Sequence, residues 1–69
     1  MNACEVISQQ SQCLAIQASD LETAAMELDL ACMGQGQPDQ EALCEAIDRI
    51  GVIIGKLQAS KAALEALKT

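Results

Sequence analysis

The chain has 69 residues, of which 51% are hydrophobic, and it contains no Phe, Tyr, Trp or His. Ten Asp and Glu residues outnumber four Lys and Arg residues, so the formal net charge at pH 7 is -6. Without histidine there is no imidazole base or ligand, and without aromatic rings or a basic surface there is little to stack bases or bind phosphates. The composition indicates one small aliphatic domain that does not bind nucleic acid.

No membrane-spanning or secretory segment is expected. The longest run of β-branched aliphatic residues is Val52-Ile53-Ile54, whereas a transmembrane helix needs about 20 apolar residues. The first residues show no basic group followed by an apolar stretch, which is the pattern of a signal peptide. We therefore expect a cytoplasmic protein that does not act at a membrane.

The four cysteines, Cys4, Cys13, Cys32 and Cys44, form no CxxC pair. This spacing, together with the absence of histidine, argues against a zinc site. A disulfide scaffold is the alternative, but such scaffolds are rich in loops. No Lys, Arg or His occurs in residues 1–48 to activate a thiol. We expect reduced cysteines that act as small hydrophobic residues, with no metal, cofactor, catalytic residue or small-molecule substrate, and hence no enzyme.

One strong break divides the chain. Two glycines and a proline lie within Gly34–Pro38 and mark a turn. Residues of high helix propensity dominate both sides of it. We predict helices over about residues 3–33 and 38–68, joined by a turn at 34–37, in a single domain of residues 1–69. A link this short predicts an all-α, antiparallel two-helix hairpin that resembles a coiled coil.

The sequence also carries signals for where each helix starts. Asn2 and Glu5 have the spacing of a capping box, and Pro38 suits the first position of a helix. A second capping box at Ser19–Glu22 is the alternative that would break the first helix in two. Because the heptad phase runs through that segment unbroken, we expect a continuous first helix.

Large aliphatic residues at heptad spacing predict a packing seam. In the first arm, a column of large residues alternates with a column of small ones three residues earlier, so that a neighbouring helix can approach closely. In the second arm, large residues three and four apart form one broad stripe. The predicted helix-packing seam consists of Ile7, Leu14, Ala18, Leu21, Ala25, Leu28 and Cys32 in the first arm and Leu43, Ile47, Ile50, Ile54, Leu57 and Leu64 in the second.

Other apolar residues fall outside these stripes and form a possible partner patch, the alternative being scattered surface hydrophobes. Two helices alone cannot enclose a core, and small scaffolds usually need reinforcement. We therefore expect the hairpin to pair with itself as a homodimeric four-helix bundle or to dock on a helical partner. The predicted partner patch consists of Ile16, Met26, Leu30, Met33 and Val52.

Part of the sequence resembles a known family. The stretch from Leu28 through Gly34, the Pro38–Gln40 triplet, Leu43 and the positions from Ile50 to Leu57 are similar to the turn and second helix of the E-component co-chaperones of type III secretion needle subunits. That resemblance implies a cytosolic co-chaperone with no chemistry at any residue. It would pack on a helical-repeat partner chaperone and help to hold the needle subunit unpolymerised.

In architecture alone, the chain also resembles the Rop family of RNA-binding plasmid proteins, which are hairpins of this length that dimerise into four-helix bundles. That family reads RNA through a basic, aromatic-bearing face on its first helices. Since the first arm here has neither basic nor aromatic residues, RNA binding is not carried over. The sequence thus predicts a non-enzymatic protein–protein interaction module, such as a needle co-chaperone, the alternative being a homodimeric Rop-like four-helix bundle without RNA binding.

Overall fold

The computed structural model describes residues 2–32 and 36–68. Within them the chain forms two helices, α1 (Ala3–Ala31) and α2 (Gln40–Glu65), which pack along each other as a hairpin. These described residues contain no strand. The prediction of an all-α two-helix hairpin is therefore confirmed. The hairpin is a rod that measures 53 × 15 × 14 Å.

Helix α1 starts at a polar cap and continues without a break. Asn2 has an extended backbone, and its Oδ1 accepts a hydrogen bond from the backbone N–H of Glu5 at 2.9 Å. The Ser19–Glu22 segment lies inside the helix, where the Thr23 hydroxyl donates to the carbonyl oxygen of Ser19 at 3.3 Å. The expectation of one continuous first helix is confirmed.

A backbone hydrogen bond closes the connection between the two helices. The backbone N–H of Asp39 donates to the carbonyl oxygen of Ala31 at 2.9 Å, which joins the start of α2 to the end of α1. Gly36 has a φ of 92°, a conformation that side chains with a Cβ rarely adopt. Residues 33–35, which include the predicted end of the first helix and part of the predicted turn, lie outside the described residues.

Asp39, rather than Pro38, sets the start of α2. Its carboxylate accepts hydrogen bonds from the backbone N–H groups of Glu41 at 3.0 Å and Ala42 at 3.3 Å. These N–H groups have no partner within the helix. Asp39, which has an extended backbone and a short acidic side chain, supplies the missing acceptor, and Pro38 cannot. The helix therefore begins at Gln40, two residues later than the sequence predicts.

Replacing Asp39 by Ala is expected to lower the free energy of unfolding by about 0.5–2 kcal/mol, because two N–H groups lose their acceptor. Asp39→Asn keeps an oxygen in the same place and should lose much less. Urea denaturation followed by circular dichroism compares the three chains. Equal losses in both variants would show that the charge of Asp39, and not its hydrogen bonds, matters.

Small side chains line the contact between the two helices. One heptad column on each helix is buried there, with Ile53, 3% exposed, as its one large aliphatic member in the described residues. Because alanine and serine let helices approach closely, the hairpin holds together with very little apolar volume between its helices. We call this set the contact column: Gln17, Ala24 and Ala31 of α1 and Ala46, Ile53 and Ser60 of α2.

Candidate interaction surface

An aliphatic surface runs along one side of the hairpin. It is built from the heptad columns that lie next to the contact column on each helix. Leu14 lines a groove together with Leu57 and Leu64, and Leu14 and Leu21 line a second groove of about 200 Å³ with Leu57, so both columns face the same side. We call this surface the aliphatic face: Ile7, Leu14, Leu21, Leu28, Leu43, Ile50, Leu57 and Leu64.

Much of the aliphatic face is open to solvent. The four residues that α1 contributes are between 36% and 51% exposed, and Leu57 of α2 is 38% exposed. Leu43, Ile50 and Leu64 are half-buried. The largest side chains of the molecule therefore flank the contact between its two helices and do not fill it.

The residues of the predicted seam make up this face and its margins. Sequence spacing locates the apolar stripe of each helix, but not which edge of that stripe meets the other helix. Within one chain, the helices meet along the contact column. Its residues also recur at heptad spacing, but small and polar side chains give a weaker apolar pattern than the leucines do. Whether the seam residues pack against another molecule stays a prediction. Of them, Leu43, Ile50 and Leu64 are half-buried, and Ile7, Leu14, Ala18, Leu21, Ala25, Leu28, Cys32, Ile47, Ile54 and Leu57 are exposed.

The predicted partner patch lies away from the aliphatic face and is discontinuous. Ile16, Met26, Leu30 and Val52 are each more than half exposed, and Met33 lies outside the described residues. Ile16 and Leu30 are two heptads apart on one edge of α1, which separates them by about 21 Å. Whether these residues bind a partner stays a prediction.

The side opposite the aliphatic face is charged. There the Arg49 Nε donates to Glu27 Oε1 at 2.6 Å and links α2 to α1. This hydrogen bond and the negative charge of Glu27 raise the pKa of the Arg49 guanidinium above its ordinary value. We call this side the charged face: Asp20, Glu27, Glu45, Asp48, Arg49 and Lys56.

Three further observations concern metal binding, the cysteines and the membrane. Within residues 2–32 and 36–68, no three Cys, Asp or Glu side chains are grouped so as to hold a metal ion. Cys4, Cys32 and Cys44 are exposed and Cys13 is half-buried, all as free thiols. Neither α1 nor α2 is long and apolar enough to cross a bilayer.

Gln17 is the polar exception in the contact column. It is 3% exposed, and its Oε1 has no hydrogen-bond partner in the part of the chain that the structure describes. Leaving a buried acceptor unpaired costs about 1–3 kcal/mol. Gln17 also lines the groove of the aliphatic face between Leu14 and Leu21, so a molecule that covers the face comes close to this carboxamide.

Comparison with known proteins adds no family to this picture. No family model, no curated protein and no solved structure matches the chain. The needle co-chaperone and Rop-type resemblances therefore stay proposals. What the chain does has to be inferred from its two unlike faces.

Proposed function

We propose that the hairpin is a non-enzymatic protein–protein interaction module whose aliphatic face packs against other helices. The observation that carries this proposal is the exposure of that face. Ile7, Leu14 and Leu21 are between 39% and 51% exposed, and no large side chain of the described residues is fully buried. A contiguous apolar surface rimmed by polar residues is typical of an interaction site.

The small contact column gives a reason for association. Burying one leucine or isoleucine completely contributes about 1.5–3 kcal/mol, and among the described residues Ile53, at 3% exposed, is the one large aliphatic side chain that comes close to this. Single cores in chains below about 70–80 residues rarely supply more than 3–5 kcal/mol. Covering the aliphatic face with other helices would supply the burial that the hairpin lacks.

Replacing Leu21 by Asp tests whether the aliphatic face carries association. The carboxylate would have to be buried unpaired in the interface, which is costly. We expect the dissociation constant to rise at least ~100-fold, equal to about 2.7 kcal/mol. Analytical ultracentrifugation over a range of concentrations measures this rise, with circular dichroism as the check on helicity.

Ile16→Asp is the matched control, because Ile16 is 59% exposed on another side of the same helix. It should associate as the unmodified chain does. The proposal fails if the unmodified chain is a stably folded monomer whose unfolding does not depend on concentration. It also fails if Leu21→Asp and Ile16→Asp weaken association equally.

A more specific role is that of a needle co-chaperone, supported by the resemblance of the turn and second helix. In that role the aliphatic face would pack on a helical-repeat partner chaperone in the cytoplasm. Genes for a secretion apparatus beside this one, and co-purification with the chaperone they encode, would support it. The alternative is a homodimeric four-helix bundle that does not bind RNA, and the distribution of charge along the hairpin favours this alternative.

A further inference from the structure

Resting on the proposed function, we infer that the aliphatic face is covered by a second copy of this chain, with the two turns at opposite ends of a four-helix bundle. The size of the face fits this occupant. A side whose backbone spans 53 × 15 Å has a footprint of about 800 Å², comparable with the accessible surface that each partner buries in an interface of standard size. A second hairpin has the same length and covers the face from end to end.

The column of large apolar residues on each helix is symmetric about its own midpoint. The large column of α1 is symmetric about the midpoint between Leu14 and Leu21, and the large column of α2 about the midpoint between Ile50 and Leu57. These midpoints lie at the same height, because Leu14, Leu21 and Leu57 line one groove. One twofold axis across the rod at this height therefore sets large residues opposite large residues on both helices, as an isologous interface requires.

The distribution of charge selects the direction of the second copy. Residues 20–49, the half of the hairpin next to the turn, contain eight acidic residues and one arginine, for a net charge of -7. The remaining residues have two acids and three lysines, for a net charge of +1. Turns at the same end would bring two strongly acidic halves together, whereas opposed turns set each acidic half beside a weakly basic one.

Two lysines lie in the half of the hairpin that would face the acidic half of the second copy when the turns are at opposite ends. Lys61 and Lys68, with Glu65 as the one acidic residue between them, line the groove that Leu57 and Leu64 form in the open half of the hairpin, so the lining has a net positive charge. In the opposed dimer this groove faces the acidic half of the second copy. Because interfacial charges of opposite sign favour one orientation over another, these lysines support opposed turns.

Gln17 lies close to the proposed twofold axis. The buried Oε1 of its carboxamide has no donor among residues 2–32 and 36–68. Beside the axis, Gln17 of one copy comes near Gln17 of the other, and each carboxamide has N–H groups to donate. A reciprocal pair would satisfy this acceptor and fix the register, as single buried amides do in coiled coils.

The opposed dimer brings specific cysteines together. Cys4 and Cys32 lie fourteen residues before and after Ala18, in the small column that borders the aliphatic face. With turns opposed, Cys4 of each copy lies beside Cys32 of the other. Within one chain the same two residues are about 42 Å apart along α1, so a short cross-linker can join them only between copies.

Cross-linking of two single-cysteine chains tests the arrangement. Both chains carry Cys13→Ala and Cys44→Ala; one also carries Cys32→Ala and keeps Cys4, and the other carries Cys4→Ala and keeps Cys32. They are mixed, unfolded and refolded together, and treated with bismaleimidoethane, whose two maleimides each add one thiol without an oxidant. We expect at least ~10-fold more covalent dimer from the mixture than from either chain alone.

Cross-linking in the mixture that does not exceed that of either chain alone would overturn the inference, because turns at the same end place Cys4 of one copy and Cys32 of the other at opposite ends of the bundle. A chain that stays monomeric and poorly helical at every concentration would also overturn it, since another protein must then cover the face; the proposed function would survive that result. A stably folded monomer would overturn both. Circular dichroism of each variant verifies that alanine at these positions leaves the helices intact.

Discussion

Replacing Ile53 by Ala is expected to lower the free energy of unfolding by about 2–5 kcal/mol, a large part of the total for so small a chain. Ile53 is 3% exposed in a contact column that otherwise consists of alanine, serine and glutamine. The substitution removes the one large aliphatic side chain of this column, and the part of the space that Gln17, Leu21 and Leu57 do not fill remains as a cavity. Urea denaturation at fixed protein concentration, followed by circular dichroism, measures the loss.

Ile16→Ala is the control for Ile53→Ala, since it removes the same atoms from a side chain that is 59% exposed. Its effect should lie within about 0.5 kcal/mol of zero, and the better helix propensity of alanine acts in its favour. Losses of similar size at both positions would contradict the assignment of Ile53 to the contact between the helices.

Local signals in the sequence were sufficient to predict the hairpin. The break at Gly34–Pro38 and the high helix propensity on both sides of it depend on neighbouring residues alone, and so does the cap at Asn2. The start of α2 was predicted two residues early because both Pro38 and Asp39 favour a helix start. Which of the two is used depends on the hydrogen bonds that Asp39 makes with the next turn.

The contact column could not be predicted in the same way. Heptad spacing identifies a broad apolar stripe on each helix, and leucine and isoleucine dominate any such pattern. Gln17 and Ser60 give no apolar signal, yet both are buried between the helices. Two stripes in one chain can meet along either edge, and the edge with small residues permits the closer approach.

The apolar stripe of each helix has a small edge and a large edge, and the heptad pattern of the sequence is dominated by the leucines of the large edge. In a four-helix bundle every helix has two neighbours, and its apolar stripe serves both. The small edge of the stripe in this chain packs within the hairpin, and the large edge, with Leu14 and Leu21, stays exposed. The heptad pattern alone therefore does not tell which edge of the stripe packs within the chain.

Replacing Ala46 by Leu is expected to lower the free energy of unfolding by about 1–3 kcal/mol, because the larger side chain has to push the two helices apart. Ala46 is 0% exposed, and no nearby side chain in the contact column is long enough to withdraw and make room. Ala59→Leu adds the same atoms at an exposed site of α2 and should change stability by less than about 0.5 kcal/mol. Urea denaturation compares both with the unmodified chain. If Ala46→Leu is as well tolerated as Ala59→Leu, the helices do not meet along the contact column, and the leucine columns are the seam within the chain after all.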